Sequence, residues 1–225
     1  MPLVITVRGE HESWHPAERG IVHLSVAIDG PDRSEVFDAA MQSSGRVHAL
    51  LTQLASNDGA VTRWSSDTVR VTSQRPWNNA GEQLPLVYSA TIGYIARFRD
   101  FEALAMFIEY VSAVDHTTVA LVEWELTDEA TREARAEARH LAVIDAYTKA
   151  REYAESVGLS EVTTTAIADP GMLADVGPGS GSEHSGGATQ ASARMMVAPA
   201  AGGPLALNPQ NISVAASVEA RFHAS

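Results

Sequence analysis

DEATREARAEARHLAVIDAYTKAREYAESV, residues Asp128 to Val157, reads as one continuous helix and sets the frame for the rest of the 225-residue chain. Thr127 suits an N-cap, Asp128 and Glu129 complement the positive end of the helix dipole, and Gly158 supplies the stop. At 1.5 Å per residue the helix spans about 45 Å. Ala130, Ala134, Ala138, Ala142, Ala146, Ala150 and Ala154 recur at every fourth position. Alanine is the best helix former, but propensity imposes no register. The row therefore predicts a shallow ridge against which another backbone packs closely.

On the N-terminal side the pattern has period two. Val22, Leu24, Val26 and Ile28 alternate with His23, Ser25, Ala27 and Asp29, as in a half-buried strand. Gly30-Pro31-Asp32 ends it, and Asp32 followed by Glu35 resembles a capping box opening a helix to about Ala55. That helix carries Val36, Phe37, Ala40, Met41, Val47, Leu50, Leu51 and Leu54 on one side. A second strand region runs from Val61 to about Ser73, closed by the turn Arg75-Pro76-Trp77-Asn78-Asn79. The order then repeats: Ile92, Tyr94, Ala96 and Phe98 alternate, Asp100 caps a helix to about Ala113, and Thr117–Leu126 reads as a strand. Two strand–helix–strand units thus precede the long helix.

Beyond it, residues 160–169 read as a strand, and Asn211–Phe222 resumes alternation with Ile212, Val214, Ala216, Val218 and Ala220 on one face. Between them, about 171–206 is rich in Gly, Ser, Ala and Pro. Such composition buries too little apolar surface to offset its ordering entropy, so a flexible insertion is expected. The closing strand must rejoin the sheet, which makes residues 1–225 a single domain with a long excursion.

Composition narrows the function classes. Hydrophobic residues make up 45% and charged residues 20%, which fits a protein with a sizeable core. Sixteen basic against twenty-eight acidic side chains leave a formal charge of −12, and nucleic-acid binding needs the opposite. The absence of cysteine removes disulfides, thiolate metal sites and cysteine nucleophiles. No run of eighteen apolar residues is present for a membrane span. The first residues lack the charged and apolar regions of a signal peptide, so a cytoplasmic location is expected. Lys149 is the only lysine.

Glu137-Ala138-Arg139, Ala142, Asp145-Ala146, Lys149-Ala150, Ala154 and Gly158-Leu159 resemble the long-helix pattern of the SIMPL domain family. Gly93-Tyr94-Ile95-Ala96 is similar to its Gly-Tyr-x-Ala strand, and Val7-Arg8-Gly9 to its opening glycine strand. His11 stands where the family has a second early glycine, Pro16-Ala17 replaces a Pro-Asp pair, and Arg63-Trp64-Ser65-Ser66 an Asp-Ile-x-Thr segment. The resemblance implies an α+β fold of long twisted antiparallel strands packed against helices, and no established catalytic residue. Envelope relatives in bacteria are associated with oxidative-stress tolerance and form ring-like oligomers, and the animal relative looks like a kinase-associated signalling adaptor. These roles share no chemistry, so fold analogy transfers little.

One catalytic motif occurs literally. His11-Glu12-Ser13-Trp14-His15 matches H-E-x-x-H, which binds zinc when a helix sets both histidines on one face. Pro16 disfavours helical backbone at His15, and Gly9 and Gly20 flank the segment. An extended chain holds the two histidines about 13 Å apart, so no metal ligand, cofactor or catalytic residue is assigned. Trp14 and Trp77, near turns, are the candidate interface residues. With lysine absent from every predicted strand, weakly guarded sheet edges are expected. The expectation is a non-catalytic, self-associating protein, a homo-oligomer of two or more copies in a scaffolding or stress-related role. The alternative is a small-ligand or partner-protein binding module with a cleft, and third a metal-dependent hydrolase.

Overall fold

The structure, a computed structural model, describes residues 3–56, 58–173, 194–195 and 206–225. In chain order the elements are β1 (Leu3–His15), β2 (Arg19–Gly30), α1 (Arg33–Ala55), β3 (Val61–Ser66), β4 (Arg70–Gln74), β5 (Val87–Phe98), α2 (Phe101–Ser112), β6 (Thr117–Glu125), α3 (Asp128–Ser156), β7 (Val162–Ala168), β8 (Arg194–Met195) and β9 (Ile212–Ala224). Among the described residues all strand pairs are antiparallel and form two sheets, an α+β architecture. The contacts fall into two compact units, one of β1, α3, β7 and β9, the other of β2 to β6, α1, α2 and β8.

In the second unit the strand order is β3-β5-β2-β6-β8, with β4 also on β5. The opening strands of the two strand–helix–strand repeats, β2 and β5, pair at the centre. The closing strand of each repeat pairs with the opening strand of the other: β3 with β5, and β6 with β2. This is the split βαβ arrangement of ferredoxin-like sheets. Val22, Leu24, Val26 and Ile28 of β2 meet Ala90, Ile92, Tyr94, Ala96 and Phe98 of β5 in one buried layer. Helices α1 and α2 lie against these strands, and their N-caps are the expected ones. Asp32 accepts from the N–H groups of Ser34 and Glu35, and Asp100 from those of Glu102 and Ala103.

Two expectations change here. Phe37 and Met41 are exposed, and α1 buries Ser43 and Ser44 instead, because Tyr94 of β5 supplies a hydrogen-bonding partner for Ser44. The region from Val61 to Ser73 is two strands. Between β3 and β4 Asp67 still donates its N–H to the Gly93 carbonyl at 2.9 Å, and its side chain fills the space a Cβ at Gly93 would need.

In the first unit β9 is the central strand, with β1 and β7 at the edges. The β1–β9 register is continuous over thirteen pairs, from Leu3↔Ala224 to His15↔Ile212. Helix α3 covers one face. Ala142, Ala146, Ala150 and Ala154 form a core with Ile5, Val7, Val218, Ala220 and Phe222. Thr127 caps the helix, and Gly158 ends it at φ +81. Strand β7 carries a register shift between Thr164 and Ala166, where the Thr165 hydroxyl donates to the Arg221 carbonyl. Of the segment read as a flexible insertion, only 171–173, 194–195 and 206 belong to the described residues, and that reading otherwise lies outside them. Residues 194–195 are β8, paired with Val122 and Glu123 of β6.

Candidate functional site

The long-helix and opening-strand residues that carried the family resemblance meet at the junction of β1 and α3. A Cβ at Gly9 would stand 2.0 Å from the Ala142 carbonyl oxygen and 2.7 Å from the Ala146 nitrogen, so only glycine lets the helix settle directly on the strand. The close backbone contact expected of the alanine row is thus made with the chain's own β1. At that depth two side chains of α3 reach the outer edge of β1. Asp145 Oδ2 accepts from the Glu10 N–H at 2.8 Å, and Lys149 Nζ donates to the Arg8 carbonyl at 3.1 Å. The two also form an i,i+4 ion pair at 2.7 Å. This pairing and the Glu10 N–H hold the Asp145 carboxyl below the usual carboxylate range and push the Lys149 ammonium up. On the β9 side of the strand Arg8 pairs with Glu219 at 3.1 Å. Glu219 is lowered first by the Gly171 N–H and then by Arg8, and it also accepts from the Leu173 N–H.

A family model matches residues 5–222 and is described as SIMPL, protein of unknown function (DUF541). The chain belongs to the SIMPL family. No curated protein matches it. Its SIMPL-pattern residues do architectural work at every position where a contact is seen. Gly9, Ala142, Ala146, Asp145 and Lys149 seat α3 on β1. In the other unit Gly93 makes room for Asp67, and the buried Tyr94 hydroxyl bonds to Ser44 Oγ at 2.5 Å and the Ser44 carbonyl at 3.2 Å.

The H-E-x-x-H segment of this SIMPL protein is strand throughout, as its glycine and proline neighbours required. His11, Ser13 and His15 share one face of β1, and Glu12 and Trp14 the other. Ser13 Oγ and His15 Nε2 are 2.9 Å apart, a contact that i,i+2 spacing on a strand could have announced. Ser13 also donates to the Val214 carbonyl at 3.4 Å, so it is held within the β1–β9 ladder. Glu12 accepts from the Ser213 hydroxyl. Among the described residues no group of three His, Asp or Glu side chains could hold a metal ion. None of their helices is long and apolar enough to cross a membrane.

The two tryptophans singled out in the sequence belong to different units. Trp14 is 62% exposed on the outward face of β1, opposite Ser213. Trp77 is 67% exposed on the hairpin joining β4 to β5. Asn78 organises that hairpin: its Oδ1 accepts from the N–H groups of Ala80 and Glu82, and its Nδ2 donates to Glu82 Oε2. Gly81 turns the tip at φ +78, Trp77 bridges Gln83, and the Leu84 N–H donates to the Pro76 carbonyl. At the root lies a cavity of about 360 Å³. Pro76, Leu84, Pro85, Leu86 and Val87 line one side, and Asp29, Gly30 and Pro31, where β2 passes into α1, line the other. The signal missed in the sequence was Leu84-Pro85-Leu86, an apolar triplet directly before a strand. Trp64 and Trp124 are different: Trp64 is half-buried against His48, and Trp124 is a core residue against Phe101.

Proposed function

We propose that this SIMPL protein acts by non-covalent association rather than catalysis, with the Trp77 hairpin and the cleft at its root as the contact surface and a second copy of the chain as partner. The observation that carries this reading is a largely exposed tryptophan on a braced hairpin beside an apolar cavity large enough for an indole. A protruding ring and a recess on one patch are self-complementary, so a two-fold axis can place each Trp77 in the other copy's cleft. Tryptophan is also the residue type most enriched where binding energy concentrates. Light scattering on the wild type and Trp77→Ala at several salt concentrations tests the proposal. The wild type should be a dimer or larger at micromolar concentration, more so at high salt, because screening relieves the repulsion of a −12 chain. Trp77→Ala should weaken association at least tenfold. A 24.0 kDa monomer in every buffer would remove the reading.

A second reading uses the same cleft for a small apolar ligand, since its volume lies at the lower end of the range for small-molecule sites. It predicts a monomer whose Trp77 fluorescence shifts on titration with an apolar dye, and whose shift is lost in Leu84→Asp.

A further inference from the structure

Among the described residues β1 is an edge strand, thirteen residues long with Gly9 at its midpoint. In an antiparallel ladder, alternate residues turn both backbone groups away from the partner. The Arg8 carbonyl and the Glu10 N–H, which meet α3 side chains rather than β9, identify the even-numbered residues of β1 as the outward set. Two β1 strands brought edge to edge about Gly9 would therefore match outward groups to outward groups along their whole length.

The side chains fit that register too. Arg8 of each copy would face Glu10 of the other, Thr6 would face Glu12, and Val4 would face Trp14. Opposite charges and apolar pairs directly across a ladder are the stabilising combinations. Arg8, already on Glu219, would sit between two carboxylates. Val4 and Trp14, 51% and 62% exposed, would each cover the other. Helix α3 lies over both β1 and β9. Its two copies would then stand about two strand spacings apart, or about 10 Å, close to the ordinary separation of packed helices. What prevents this joining is local. Asp145 and Lys149 occupy the two backbone groups flanking the midpoint, and they are bonded to each other.

We propose that β1 is a self-complementary joining edge for a second copy of this chain, held shut by an Asp145–Lys149 latch. The latch is distinct from the Trp77 surface and does not depend on it. The test is accordingly made in the full-length chain carrying Trp77→Ala, so that failure of the hairpin reading cannot mask the outcome.

In that background Asp145→Ala with Lys149→Met should leave the circular dichroism strand signal in place and tighten self-association at least tenfold by sedimentation velocity. Adding Arg8→Glu should abolish the gain by setting like charges opposite one another, and adding Glu10→Arg to that should restore it. Lys149→Met alone, which leaves Asp145 on the Glu10 N–H, should give a smaller gain and serves as a second reading if the double substitution lowers solubility. An opened chain no more associated than its parent overturns the proposal. So does a dimer indifferent to the Arg8 and Glu10 charges.

Discussion

The ammonium of Lys149 donates to the carbonyl oxygen of Arg8 across 3.1 Å, joining the chain's only lysine to the backbone of a strand 141 residues earlier. A compact ammonium with three donors can serve that carbonyl and the Asp145 carboxylate together, whereas a planar guanidinium fixes its donors in a fork. This accounts for a lysine at one position of an otherwise arginine-using chain. It also changes the expectation that sheet edges here are weakly guarded. The guard of β1 is carried on α3, and the edge of β7 is interrupted by its register shift at Thr165.

Acid should weaken the three-stranded unit. Asp145 and Glu219 have carboxyls held below the usual range, Asp145 chiefly by Lys149 and Glu219 chiefly by the Gly171 N–H. A depressed carboxylate contributes stability above its unfolded value that is lost as pH falls through the folded one. Urea midpoints should therefore drop from about pH 5 downward. The gap between wild type and Asp145→Ala should be widest near neutrality and narrow by about pH 3, below the ordinary carboxylate value. A gap that does not change with pH would contradict this.

Gly9→Ala should cost about 3 kcal/mol. The added methyl meets backbone atoms of Ala142 and Ala146 rather than a side chain that can swing away, so α3 has to lift. Denaturant unfolding gives the cost, and hydrogen exchange adds a local readout: the Glu10 amide should lose protection as Asp145 is drawn off it.

Tyr94→Phe removes a buried hydroxyl bonded to Ser44 and should destabilise by about 1–2 kcal/mol. The double variant with Ser44→Ala should be less destabilised than the sum, because no donor or acceptor is then left buried alone. Strict additivity of the two losses in denaturant titrations would show that the pair is not coupled.

Elemental analysis of protein purified without histidine tags should find far less than one zinc per chain. His11 and His15 lie four positions apart on extended backbone, about 13 Å. One zinc per chain that disappears in His11→Ala would overturn this expectation.

Where the sequence was legible, the signals were local. Asp32, Asp100 and Thr127 marked the helix starts through their capping oxygens, and the apolar alternation of β2, β5 and β9 marked their buried faces. The family glycine, alanines and lysine were visible as a pattern, but their purpose was not. The ridge of Ala134 to Ala154 suggested room for a second molecule, yet the whole row is already buried in the folded chain. No periodicity reveals that Gly9 is what lies beneath Ala142 and Ala146. Ser43 and Ser44 fall at the helical spacing of Val36, Ala40 and Val47, but the partner that lets Ser44 be buried there, Tyr94, lies on another element and leaves no local signal. The division into two sheets was equally hidden, since β1 and β9 recognise each other only through tertiary pairing.

That pairing has a bearing on how the molecule comes to exist. Arg8 meets Glu219 across 211 residues, and all thirteen partners of β1 lie in the last strand. Closing so large a loop costs little more free energy than closing a modest one, because the entropy grows only logarithmically. Time is the greater demand. During synthesis β1 emerges first and waits for β9, while the six-stranded unit between them has most of its partners close at hand in sequence and can form early. The strand with the longest open edge is thus the last to be enclosed, and the interval before the C-terminal strand arrives is when a chaperone, or another nascent copy, has its best access to it.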